Sequence, residues 1–448
     1  MNKLLIKNAK LVNEDSIFAA DMLVQDERIL KIATDIRAEG NIQVLDAAGR
    51  YLIPGMIDDQ VHFREPGLTH KGTLASESRA ALAGGTTSFM EMPNTQPQTT
   101  TLEALEAKYQ LAACRSLANY SFYLGATNDN LEQIKRLAPN QTCGIKVFMG
   151  ASTGNMLVDN TETLAAIFRE SPVLIATHCE NTPLIQAAEA EARARYGEDI
   201  PAREHANIRH AEACYASSSL AVELARRYAA KLHVLHITTA KELSLFTASA
   251  NLSELKDKNI TAEACVHHLH FQQQDYDRLG HQIKCNPSVK TAADRLALLD
   301  AVRSGVIDII ATDHAPHTWE EKQNSYFKAP SGLPLCQHAL LSLLEHVHDG
   351  VLDLPTIVKR TSHAVAERYQ IRDRGYLREG YYADLVLLDL DAPSLVTRDS
   401  LLYHCGWSPF DGFQFRSRIE TTIVNGQIAY TGGQIITARP GKRLEFCR

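Results

Sequence analysis

One pattern constrains this chain more than any other. A short apolar run stops at polar or titratable residues, a segment with helical periodicity follows, and the unit recurs eight times. The runs are Leu52–Ile57, Thr86–Met92, Tyr120–Gly125, Gly144–Met149, Pro172–Ala176, Leu232–Ile237, Thr261–Val266 and Ile307–Ala311. Leu102–Leu117, Asn207–Ala230, Ala293–Ser304 and Leu335–His348 are among the helices expected with them. Strand and helix alternating in this way argue for a closed parallel α/β barrel of the TIM type. Such a barrel takes roughly 250 residues, so a chain of 448 has some to spare. The surplus lies at the two ends. Residues 1–50 and 376–448 read as short alternating strands with Gly426 and Gly432–Gly433 at turns, and they are expected to meet in one small β-domain beside a barrel of residues 51–375.

Composition narrows the class of function. Charged residues make up 22% and the net charge is −7, so nothing points to a nucleic-acid surface or a charged tail. No stretch is apolar for long enough to span a membrane, and the start lacks the layout of a secretion signal. A soluble cytoplasmic protein acting on small molecules is the expectation. Nine cysteines without a C-x-x-C pair fit reduced thiols, most of them core filler, better than a disulfide framework.

A TIM barrel builds its active site at the C-terminal ends of the strands, and here those ends are unusually polar. The first run stops at Asp58-Asp59-Gln60-Val61-His62-Phe63-Arg64 and the second at Pro93-Asn94. Lys146 lies on the fourth, His178-Cys179-Glu180 follows the fifth, and His236 the sixth. His267-His268 closes the seventh and Asp313-His314-Ala315-Pro316-His317 the eighth. One histidine at a strand end is most often an ordinary hydrogen-bonded residue. Several strand ends offering His or Asp to one rim suit a zinc-like divalent metal, and the absence of cysteine among them suits catalysis over structure.

The local words make the case specific. Gln60 to Gly67, Met92 to Thr95, Gly144 to Met149, Thr177 to Glu180, Leu235 to Thr238, Asn286-Pro287 and Ala311 to His317 resemble, in order, motifs of the amidohydrolase superfamily. They are most similar to those of its class I dihydroorotases. The resemblance runs from about Gly55 to Gly332, and Ala383-Asp384-Leu385-Val386 resembles the returning strand of the superfamily's β-domain. It implies hydrolysis of a cyclic amide, interconverting dihydroorotate and N-carbamoyl-aspartate in pyrimidine synthesis. A metal lowers the pKa of water toward about 7 and polarises the carbonyl, and two ions can share both tasks.

By this resemblance one or two zinc ions are held by His178 and His236 on one side and by His62 and Asp313 on the other. Lys146 would be carboxylated, its carbamate bridging the ions; read without the resemblance, it is a salt-bridging lysine at a strand end. Asp313 would also shuttle the proton to the leaving nitrogen, though an Asp capping a helix after the last strand reads the same in sequence. Arg64, Asn94 and His317 would bind the substrate carboxylate, Arg64 through its planar donor fork. Asn286 and the backbone at Pro330 and Gly332 would read the ring amide. Asn94 and Asn286 read equally well as plain turn residues beside proline.

The pattern breaks at one place. The family's first strand normally ends His-x-His, and this chain has Gln60-x-His62. An amide oxygen is a poorer ligand than imidazole for such ions. Gln60 could ligate weakly, Asp59 or water could substitute, or only the ion at His178 and His236 is firmly held. Leu335 and Gln337 stand where the family often has Gly and Glu in its ring-contact region. Three alternatives therefore stay open. One is an allantoinase, a second is a hydantoin or dihydropyrimidine hydrolase, and Arg64 argues against both. The third is a non-catalytic partner of aspartate transcarbamoylase. A homodimer and an association with aspartate transcarbamoylase are compatible with the resemblance.

Overall fold

The computed structural model describes residues 3–38, 40–150, 156–249, 251–437 and 439–448. Eight parallel strands form the barrel. They are Met56–Val61, Thr86–Glu91, Asn119–Phe122 continued by Leu124–Gly125, Ile145–Phe148, Ile175–His178, Leu232–Val234, Ile260–Cys265 and Ile309–Ala311. Each pairs in parallel with the next. The ring closes through a bridge from Val61 to His314, where the His62 amide donates to the His314 carbonyl at 2.7 Å.

Side chains alternate across each strand because successive Cβ atoms point to opposite faces. Phe89, Phe122, Ile175, Val234 and Ile310 pack with the helix residues Leu105, Leu164, Val222 and Leu298. Their neighbours Met90, Tyr123, Ala176, Leu235 and Ile309 belong to a second cluster with Ile57 and Tyr369. Burying each large apolar side chain contributes roughly 1.5–3 kcal/mol. Register is therefore strongly specified, since a one-residue slip would exchange the two sets.

Both chain ends enter one nine-stranded sheet. Its central seam pairs Tyr51–Pro54 in parallel with Lys3–Asn13 and antiparallel with Leu385–Asp389. The apolar run Leu52–Ile57 thus serves two sheets, and the first barrel strand starts at Met56. Gly55 makes the crossing: a Cβ there would lie 2.2 Å from the Thr87 hydroxyl oxygen. Asn8, at φ 57°, interrupts the first strand so that Leu4–Lys7 pair with Gln43–Asp46, and Lys10-Leu11 pair with Tyr51-Leu52.

Several expected elements shift. His178 lies on its strand, which is Ile175–His178 instead of Pro172–Ala176. The helix expected over Asn207–Ala230 is broken at His210, whose extended backbone separates His205–Ile208 from Ala211–Tyr228. The last expected helix begins at Ala339 instead of Leu335, because the Leu335 and Cys336 amides donate to the His314 ring. Among the described residues no helix is long and apolar enough to cross a membrane.

Candidate active site

A cavity of about 360 Å3 opens at the C-terminal rim of the barrel. Gln60, His62, Arg64, Asn94, Lys146, His178, His236, Asn286, Asp313, His317, Pro330 and Gly332 all line it. Three of these, Arg64, His236 and Asp313, sit at φ 73°, 39° and 50°. Left-handed backbone is uncommon for residues with a Cβ and persists only where the surroundings over-determine it. The strand ends are bent there so that these side chains turn into the mouth.

On one side of the mouth His178 Nδ1 lies 3.0 Å from His236 Nε2. His178 Nε2 contacts Glu180 Oε2 at 3.0 Å, and Arg209 ion-pairs with the same carboxylate oxygen. Burial works to raise the Glu180 pKa, but Arg209 and His178 outweigh it and hold the group near 2. Glu180 is therefore a carboxylate at neutral pH and accepts the Nε2 hydrogen of His178. The Nδ1 lone pair is left facing His236. Burial pulls both imidazoles below their usual pKa, His236 farthest, so both are neutral donors of electron pairs.

The opposite side is built alike from weaker parts. His62 Nδ1 lies 2.8 Å from the Asn94 amide oxygen, which directs His62 Nε2 at Asp313 Oδ1, 3.2 Å away. A lone pair turned toward a carboxylate oxygen in a buried site calls for a cation between them. Gln60 does not enter as an oxygen donor. Its amide nitrogen donates to Asp313 Oδ1 at 3.2 Å, while its oxygen lies 3.9 Å from the Cys265 sulfur. Asp59 does not substitute for it either: its carboxylate turns away to Tyr369 and His233. The donor set as a whole fits a divalent cation better on the His178–His236 side.

Lys146 is buried between the two sides, and among the described residues no carboxylate lies within ion-pair distance of its Nζ. The salt-bridging reading thus lacks a partner. Burial lowers the Lys146 pKa to about 8 against the opposing pull of Asp313 and Glu263. About a tenth of the amine is then free at pH 7, far more than for an ordinary lysine.

Arg64 occupies the outer wall. Its Nε donates to the Pro316 carbonyl at 3.0 Å and its Nη2 lies 3.0 Å from His317 Nε2. Among the described residues no carboxylate pairs with it, and burial lowers its pKa to about 10. Lys71 lies 3.1 Å from the other His317 nitrogen, so cations on both sides and burial keep that ring neutral. Gly332, at φ 132°, lets the chain pass close, since a Cβ there would meet the Ala315 carbonyl at 2.6 Å. Two lysines hold this loop by its carbonyls. Lys322 donates to Lys284, Pro330 and Gly332, and Lys284 donates to Tyr326 and Ala329.

Some expectations move. His314 points out of the cavity, where Glu77 takes its Nε2 hydrogen at 2.9 Å and its Nδ1 accepts from Leu335. Leu335 and Gln337 do not line the cavity; the Gln337 amide ties down Ser400 and Leu402. His267 and His268 sit in the short helix Val266–His270 and also stay outside. Sequence reading missed Arg209, Lys284, Glu189, His205, Tyr326 and Phe327, which complete the outer wall. Lys284 stands two residues before Asn286 and could have been found with it. Arg209 lies in the long connection after strand five, where no strand end marks it.

Residues 51–429 match the Amidohydrolase family, and the chain belongs to that family. It is 31% identical to a dihydroorotase of Methanosarcina mazei over 98% of this chain and 96% of that one. It is 29% identical to an allantoinase of Desulfitobacterium hafniense over 98% of both. Among solved structures it superposes on an L-hydantoinase (dihydropyrimidinase) from Arthrobacter aurescens with a TM-score of 0.91 and 27% identity, covering 99% of this chain and all of that one. The chain is a hydrolase acting on cyclic amides, on a TIM barrel with a β-rich domain built from the chain ends.

Proposed function

We propose that the chain is a dihydroorotase, hydrolysing dihydroorotate reversibly to N-carbamoyl-L-aspartate. The observation that carries this reading is Arg64. It is a buried guanidinium in the cavity wall, held by the Pro316 carbonyl and lying against the His317 ring, and among the described residues no carboxylate pairs with it. An unpaired buried charge is costly, so the ligand must supply the anion. Dihydroorotate carries a ring carboxylate that can meet the guanidinium fork, with His317 and the free amide hydrogens of Asn94 beside it. Allantoin and simple hydantoins are uncharged rings and would leave Arg64 unpaired.

In this reading His178 and His236 would hold one zinc-like ion, His62 and Asp313 would hold a second, and a carbamate on Lys146 would supply a further anionic ligand. The low pKa of Lys146 favours the carbamate, since only the free amine attacks carbon dioxide. When bound, the ions acidify the attacking water and polarise the ring carbonyl. Asp313, whose Oδ1 accepts from the Gln60 amide, accepts a proton from that water and returns it to the ring nitrogen as the C–N bond breaks. Asn286 and the Pro330–Gly332 backbone orient the ring amide.

A substrate panel tests the reading. Dihydroorotate should be turned over well above allantoin and hydantoin, and Arg64→Ala should raise KM for dihydroorotate by about 10 to 100-fold, the worth of a charged hydrogen-bond pair. Preference for a neutral ring, or an indifferent Arg64→Ala, would replace dihydroorotase with allantoinase or hydantoinase. A purified chain without metal at His178 and His236 would instead be a non-catalytic companion of aspartate transcarbamoylase.

A further inference from the structure

Within the barrel wall, outside the cavity, Asp59, His233 and Glu263 of strands one, six and seven meet, all three fully buried. His233 Nδ1 lies 2.8 Å from the Thr261 hydroxyl oxygen, and that hydroxyl donates onward to the Leu232 carbonyl. Thr261 is thus the acceptor, and Nδ1 carries the hydrogen. The Nε2 lone pair faces two carboxylate oxygens, Asp59 Oδ2 at 3.2 Å and Glu263 Oε2 at 3.5 Å.

Neither contact is a hydrogen bond. His233 Nε2, Glu263 Oε2 and Asp59 Oδ1 have no hydrogen-bond partner among the described residues. Other donors use the remaining oxygens: the Tyr369 hydroxyl donates to Asp59 Oδ2 at 2.8 Å, and the His236 amide donates to Glu263 Oε1 at 2.9 Å. A histidine nitrogen facing two buried carboxylates calls for a cation between them, either a metal ion or a proton on His233, since against its burial Asp59 and Glu263 raise the His233 pKa to about 9.

We propose that Asp59, His233 and Glu263 hold a divalent metal ion of the zinc class, separate from any ion at the mouth. The separations carry the choice of a metal over a proton. Tetrahedral ligands about 2.1 Å from zinc stand about 3.4 Å from one another, and the two distances found, 3.2 and 3.5 Å, lie on either side of that value. A proton shared as a charged hydrogen bond would close one of them to about 2.7–2.9 Å along the N–H direction. Two carboxylates and one imidazole supply three of the four positions of a tetrahedral site, and none of the three residues lines the cavity. Glu263 links it to the mouth, because the same carboxylate holds the His236 backbone. The site thereby braces a residue of the catalytic rim.

The test is anomalous diffraction at the zinc edge from crystals of the full chain prepared with zinc and no chelator. A peak about 2.0–2.2 Å from Asp59, His233 and Glu263, beside the mouth peaks, is expected. In Glu263→Gln, mass spectrometry should find one metal equivalent fewer per chain, while the peak at His178 and His236 stays. If that variant does not fold, the wild-type map decides alone. A mouth peak with no inner peak, and His233 hydrogen-bonded to Asp59, makes the cation a proton and overturns the inference without touching the proposed function. An empty mouth would count against the function instead.

Discussion

The two sides of the barrel mouth present the same device in two strengths. Each has a histidine whose far nitrogen is engaged so that its near nitrogen faces the centre. For His178 the engaging group is a carboxylate, itself ion-paired with Arg209. For His62 it is the neutral amide of Asn94, and the residue two before it is Gln60 where the family has histidine. Hydrogen bonds to ionised groups are about twice as strong as neutral ones, and groups that orient a metal ligand change affinity by about 10 to 100-fold. Equivalent positions on a barrel rim therefore need not bind equally. The groups behind the ligands decide.

Asp313 offers the most severe test, because it belongs to the weak side and is also the proposed proton carrier. Asp313→Asn should reduce kcat by at least about 100 to 10,000-fold, the usual worth of a positioned acid–base, with the circular dichroism unchanged. Turnover within a few-fold of the parent would remove Asp313 from the chemistry.

The orienting groups come next. Glu180→Gln keeps the shape and removes the charge, so metal should leave the His178 side about 10 to 100-fold more readily in a chelator competition. Asn94→Ala should loosen the His62 side by less, since only a neutral hydrogen bond is lost. An effect of Asn94→Ala equal to or larger than that of Glu180→Gln would erase the contrast between the sides.

Gln60→His should have the smallest effect. It restores a nitrogen donor beside Asp313, so a metal titration with two unequal steps should keep its tight step and gain up to about 10-fold in the weak one. Two equally tight steps in the unaltered protein would show that Gln60 handicaps nothing. The proposed carbamate at Lys146 can be tested in the same samples: metal reconstitution in bicarbonate-free buffer should recover less activity than with bicarbonate, and equal recovery would speak against it.

How much of this was legible depends on distance along the chain. The barrel could be read because its signal is local: apolar runs of fixed length, each followed by a helix and each ending in polar residues. His62, Lys146, His178, His236 and Asp313 could be placed at one rim because the fold carries every strand end to the same face. The division of Leu52–Ile57 between two sheets was not legible, since one apolar run looks the same whether one sheet or two will take it. Nor was the outward turn of His314, which depends on Glu77 and on the amide of Leu335, 237 and 21 residues away.

By itself the sequence determined the barrel, the rim and the chemical types gathered there, because periodicity and strand order are properties of neighbouring residues. Only the tertiary structure decided which nitrogen of each histidine faces inward, that Gln60 gives its amide hydrogen to Asp313, and that Asp59, His233 and Glu263 close on one another. Those outcomes depend on hydrogen-bond partners brought together from distant strands, and on a buried setting where each unpaired lone pair or charge must find a counterpart.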